Sequence, residues 1–172
     1  MRELAEHLDR FHDLAPRVVY TDLDGTLLGP GGSLFTGGDG GITVEAAEAL
    51  ASLHRAGVAV VPISGRTAPQ VHETARVIGA RDYIAELGGL TVYDLGEETV
   101  RARGTYRGAG PPHEAMLADG VPGLLLEAFP GSLEPHAPWA FLPRESSMLF
   151  RGHVPLAEAE EVLTAAGHGW LH

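Results

Sequence analysis

Asp22 and Asp24 stand one residue apart at the close of an apolar run, "VVYTDLDGTLL" over residues 18–28. A two-residue step along an extended segment returns a side chain to the same face, so both carboxylates can address one point. Two such acids can divide a phosphoryl transfer between them. One attacks phosphorus and forms an aspartyl-phosphate; the other protonates the leaving oxygen and later deprotonates water. Anion must then meet anion, which calls for a hard cation such as Mg²⁺, whose usual ligands are carboxylates and phosphate oxygens. Gly25 permits a sharp turn with exposed amides, and Thr26 beside it is a further candidate for holding phosphate. In "SGRT" at 64–67, Ser64, the Gly65 amide and Arg66 offer a hydroxyl, an N–H and a guanidinium to the same group. Asp-x-Asp by itself is more often a turn former or a solvated cap. The Gly-Thr extension after an apolar strand, and a second polar cluster after the next one, make the pattern specific.

These residues need a scaffold that brings two strand ends together. "RVVYTD" (17–22) reads as a strand with apolar residues on both faces, the pattern of a central parallel strand. "VAVVPI" (58–63) and "DYIAEL" (82–87) read as two more. Between them lie helical stretches. One starts at Thr43, a candidate N-cap, and stops at Gly57; the other starts at Thr67, with Gln70 at capping-box spacing, and stops at Gly79. Strand and helix alternate with short links, which predicts a parallel sheet with helices on its faces. Such sheets carry their ligands at the carboxyl ends of the strands, where Asp22, Asp24, Ser64 and Arg66 fall. A further helix is expected over residues 2–14. The glycine-dense segment 29–41 is either a surface loop or a flap over the first strand's end. After Gly88-Gly89 the pattern changes to a hairpin turning near Gly96, helices over 113–129 broken at Gly120–Gly123, a strand in "SSMLFRGHV" and a helix after Pro155. The reading is thus an α/β core over 1–92 and an α+β lobe over 93–172. The proline-rich segment 133–145, with Trp139 and Phe141, reads as a packed loop or as a substrate-facing wall carrying His136 or Arg144.

Composition narrows the partners. The 172 residues carry a formal net charge of −11, which argues against nucleic acid and anionic membrane. There is no cysteine, hence no disulfide framework and no thiolate zinc site. The nine histidines show no pair at ligand spacing on one helix face. No apolar run is long enough to span a bilayer and the first residues are charged throughout, so a cytoplasmic protein is expected. All twelve basic residues are arginine.

"DLDGTLL" at 22–28 and "ISGRT" at 63–67 resemble the first two signatures of the haloacid dehalogenase (HAD) superfamily. "IAELGGLTVY" at 84–93 resembles the segment that leads into the cap in its Cof-like and mannosyl-3-phosphoglycerate phosphatase-like branch. The resemblance implies a HAD-like, Rossmann-type core with an α+β cap inserted after the third strand. It implies Asp22 as nucleophile, Asp24 as acid/base, Ser64 as phosphoryl ligand, and Mg²⁺ held by the Asp22 carboxylate and the Asp24 main-chain carbonyl. The expected activity is hydrolysis of phosphate monoesters, with a sugar phosphate or similar small metabolite as substrate. Two further signatures of the family, a late lysine and a Gly-Asp-x-x-x-Asp cluster, have no counterpart: there is no lysine, and the only aspartate after Asp94 is Asp119. An incomplete cap, a fragment of a longer enzyme and a binding module without turnover are the corresponding expectations. A receiver domain is the remaining α/β alternative, weakened by "DGT" and the second lobe. If the family's later strands are absent, the first strand becomes an exposed apolar edge suited to homodimerisation.

Overall fold

The computed structural model describes residues 15–171; the helix expected over 2–14 lies outside them. Three strands, β1 (Val18–Asp22), β2 (Ala59–Ile63) and β3 (Tyr83–Ala85), run parallel in the order β1-β2-β3. Helices α1 (Glu45–Arg55) and α2 (Ala68–Ile78) make the crossovers and pack on β2 and β3. The α2 start follows the sequence closely: Thr67 and Gln70 form the capping box, and Gly79 closes the helix in the left-handed conformation. The start of α1 differs by one residue. Val44 occupies the cap position, while the Thr43 hydroxyl accepts the Glu45 N–H at 3.2 Å.

The hairpin expected to open the second lobe belongs instead to this sheet. Strand β4 (Leu90–Tyr93) pairs antiparallel with β3, and β5 (Glu98–Arg101) pairs antiparallel with β4, giving one five-stranded sheet across residues 92 and 93. The reason is register: Leu90 and Val92 are both buried on the core face, so the strand that carries them must stay on that core. Strand β1 takes the edge position expected where no later strand covers it, not the central one its apolar pattern suits. Among the described residues it is the sheet's edge, and its exposure alternates, with Tyr20 62% exposed. Its apolar residues are therefore not all core residues.

Past β5, the chain forms α3 (Pro112–Ala118), α4 (Val121–Ala128), the antiparallel pair β6 (Leu133–Pro135) and β7 (Phe150–Gly152), and α5 (Leu156–Ala165). Gly120, in the left-handed conformation, separates α3 from α4. Met116, Val121 and Leu163 form a second apolar cluster, apart from the main core around Leu23, Val71 and Leu90. No helix among the described residues is long and apolar enough to cross a membrane.

Candidate active site

Asp22 closes β1 in register with Ile63 of β2, so the next residue of the second strand is Ser64. The two motifs thus lie at the same, carboxyl, end of the sheet. Leu23 between the acids is fully buried and fixes the turn, while Asp22 and Asp24 are exposed. Gly25 has φ +88°, a conformation that suits glycine and turns the chain back. The turn does not leave its amides open as expected. The Gly25 N–H donates to the Leu28 carbonyl at 2.8 Å, and the Thr26 N–H to the Leu23 carbonyl at 3.4 Å. Thr26 instead directs its hydroxyl toward Asp22 Oδ2, at 3.5 Å.

The second motif is held by the first turn of α2 and by β3. The Ser64 N–H donates to the Ile84 carbonyl, its Oγ accepts the Arg66 N–H at 3.2 Å, and its carbonyl accepts the Leu87 N–H. Ser64 is buried, beside the positive end of the α2 dipole. Arg66 crosses between the motifs: its Nε donates to Asp24 Oδ2 at 2.8 Å and its Nη2 to Asp24 Oδ1. The pair is open to solvent, with side chains 27% and 54% exposed for Arg66 and Asp24.

Segment 29–41 is a folded flap rather than a bare loop, pinned by bridges Gly29–Ser33 and Thr36–Ile42. At Gly29 any Cβ would collide with the Thr36 carbonyl, so the flap's neck requires glycine. Gly31 and Gly32 of the flap, Asp24, Arg66, Trp139 and Arg144 are among the residues around a cleft of about 620 Å³, to which His136 and Gln70 also contribute. The proline-rich segment therefore reaches the site as a wall, with Trp139 and Phe141 exposed rather than packed. Asp22 and Ser64 are not among the residues that line the cleft.

Arg144 is 6% exposed and donates through Nη1 and Nη2 to the Gly65 carbonyl, at 3.1 and 3.0 Å. Burial lowers its affinity for the proton, and the nearby Glu86 carboxylate opposes that shift. The sequence marks Glu86 only as part of the third strand, "DYIAEL". It is 3% exposed and accepts hydrogen bonds from Glu145, Ser146 and Ser147. Its signal in the sequence was its position: a charged residue at the end of an apolar strand, as Asp22 is of β1.

Among the described residues no three or more histidine or acidic side chains gather as a metal group. The donors present are nevertheless of the kind Mg²⁺ takes: an exposed Asp22 carboxylate and the Asp24 carbonyl, to which no backbone amide among the described residues donates. They suit a cation that draws its remaining ligands from water and phosphate.

Residues 19–105 match the family model of the haloacid dehalogenase-like hydrolases. No curated protein matches the chain. Among solved structures, a protein of Thermoplasma acidophilum superposes with a TM-score of 0.54 at 20% identity, over 90% of this chain and 58% of its own. A haloacid dehalogenase-like hydrolase from Bacteroides thetaiotaomicron gives 0.46 at 15% identity, over 87% of this chain and 50% of its own. A sugar phosphatase of HAD subclass IIB gives 0.42 at 20% identity, over 66% and 38%. The first of these speaks for the fold. The chain spans 37%, 34% and 58% of three of the structures it matches.

Proposed function

The chain belongs to the haloacid dehalogenase-like hydrolases, and from that premise we propose that its site serves the hydrolysis of phosphate monoesters through a phosphorylated Asp22. The observation that carries the reading is the meeting of Asp24 and Arg66 beside Asp22, where the ends of β1 and β2 adjoin. Asp22 attacks phosphorus as the ester P–O bond breaks. Asp24, as the acid, gives its proton to the departing oxygen. Asp24 then takes a proton from water as that water attacks phosphorus, which releases inorganic phosphate and restores the Asp22 carboxylate. Ser64, Gly65 and Arg66 hold the phosphoryl oxygens. Mg²⁺, held by the Asp22 carboxylate and the Asp24 carbonyl, would supply charge neutralisation.

The Asp24–Arg66 pair imposes an order on these events. While both Arg66 donors face Asp24, each of its oxygens is engaged by the guanidinium. An arriving phosphate competes for the same guanidinium and frees Asp24 for its role. Exposure makes the exchange cheap, since solvent-exposed ion pairs are worth only about 0–1 kcal/mol. The substrate class that suits the cleft is a small phosphorylated metabolite, a sugar phosphate among them, with Trp139 offering an apolar face.

The chain has no lysine to neutralise the phosphoryl group, and no three or more acidic or histidine side chains gather as a metal group among the described residues. Each missing electrostatic partner costs on the order of 10²–10³ in rate, so turnover by these 172 residues is expected to be slight. The same observation favours a second reading, a phosphate-binding module without turnover. Intact-mass measurement after acid quench, from an aryl phosphate and Mg²⁺, separates the two. The phosphatase reading expects one phosphoryl adduct on Asp22, lost in Asp22→Asn. Equal turnover by wild type and Asp22→Asn would refute it.

A further inference from the structure

Glu86 is almost wholly enclosed, and both its oxygens are taken. Oε1 accepts the Glu145 N–H at 3.1 Å, and Oε2 accepts the Ser146 N–H at 2.8 Å and the Ser146 hydroxyl at 2.9 Å. Its own N–H donates to the Arg66 carbonyl at 3.0 Å. From the adjoining residue of the other segment, Arg144 returns to the Gly65 carbonyl with two donors and to the Ser147 hydroxyl with one. These bonds close a ring: Gly65, Arg66, Glu86, Glu145, Arg144 and back to Gly65. Two consecutive carbonyls of the "SGR" loop are thereby held, one by each charged residue's own bonds.

The arrangement is expensive. Glu86 and Leu87 sit at φ +53° and +58°, where residues other than glycine are strained. Burying a carboxylate and a guanidinium is unfavourable unless each is well bonded, and apolar packing would stabilise as well. Such a network specifies geometry. What it specifies is the Gly65–Arg66 peptide, and from there the direction of the Arg66 guanidinium that reaches Asp24. Arg144 is poorly placed to read a ligand itself. Both its Nη atoms are committed to the Gly65 carbonyl, and its buried Nε has no partner among the described residues.

We propose that Glu86 and Arg144 are positioning residues for the phosphate-holding loop, acting through the Gly65 and Arg66 backbone and not on the substrate. The proposal rests on the phosphatase reading in that it takes Ser64–Arg66 as the seat of the phosphoryl group.

The test is titration of the 172-residue chain with inorganic phosphate in MgCl₂, for wild type, Ser64→Ala, Glu86→Gln, Arg144→Lys and the double variant Glu86→Gln/Arg144→Lys. Glu86→Gln keeps the side chain's size, and a dispersed amide spectrum verifies folding of each variant. Expected are losses of about tenfold in phosphate affinity for each single clasp variant, and for the double variant a loss no greater than one of them, because both hold one peptide unit. The ¹⁵N–¹H signal of the Arg66 Nε–H, bonded to Asp24, should also move in both, although neither residue touches it; a purely structural role would leave that signal in place. Phosphate affinity and Arg66 signal unchanged in Glu86→Gln and Arg144→Lys, with affinity lost in Ser64→Ala, would overturn the clasp and leave the functional reading standing. Absence of phosphate binding by the wild type, or binding indifferent to Ser64→Ala, would overturn the reading and the clasp with it.

Discussion

Asp24 and Arg66 are 42 positions apart in the chain and meet through two hydrogen bonds. Their meeting was legible because each follows an apolar strand, and parallel neighbours bring such ends together. Glu86 was legible only as the end of such a strand. Its partners at 145–147 lie about 60 positions away on a segment without periodicity, and nothing local announces them. Replacing Arg66 by lysine separates charge from shape at this scale. Arg66→Lys should change stability by less than about 1 kcal/mol, because the pair is exposed. It should nevertheless weaken inorganic phosphate binding several-fold, since an ammonium cannot present two parallel donors. Urea denaturation and a phosphate titration check the two halves. Unchanged phosphate affinity would mean that the fork of the guanidinium is not used.

Elements were legible where local chemistry and tertiary packing agree. The capping box at Thr67, the glycine stop at Gly79 and the strand–helix alternation up to β3 all appear as expected. The boundary read at residues 92 and 93 cuts through the hairpin β4–β5, because an antiparallel pair carries the same alternating pattern whichever sheet it joins; only the partner of β4 decides. Strand β1 reads as central from its apolar pattern, yet it holds the edge position expected where no later strand covers it. A run of apolar residues states that a strand can be covered on both faces, not that it is. With one ladder satisfied by β2 and no second neighbour among the described residues, its free edge presents unpaired amides and carbonyls. Sedimentation of the 172-residue chain should show concentration-dependent self-association. Tyr20→Lys, a charge on that edge, should diminish it. A stable monomer over a wide concentration range would count against pairing through β1.

At the scale of the whole fold, the described residues gather into two apolar clusters, one beneath the sheet and one among α3, α4 and α5. The ring of Glu86 and Arg144, with the outer ion pair Arg101–Glu145, ties the ends of β2, β3 and β5 to the segment at 144–147. Two ties of that ring close long stretches of chain, 79 positions for Arg144 to Gly65 and 59 for Glu145 to Glu86. The helices need much shorter closures, and the β1–β2 pairing, Val18 with Ala59, a somewhat shorter one. Contacts that wait on distant segments form slowly, and chains above about 150 residues commonly pass through partly ordered states. The phosphate-holding loop should therefore be among the last parts of the molecule to mature. In stopped-flow refolding, backbone circular dichroism should recover before the fluorescence response of the cleft tryptophan, Trp139, to inorganic phosphate. Coincident recovery of the two signals would place the ring in the folding nucleus instead. A late-forming site would leave the new chain, for that interval, with its sheet and helices in place and its acids and arginines not yet aligned.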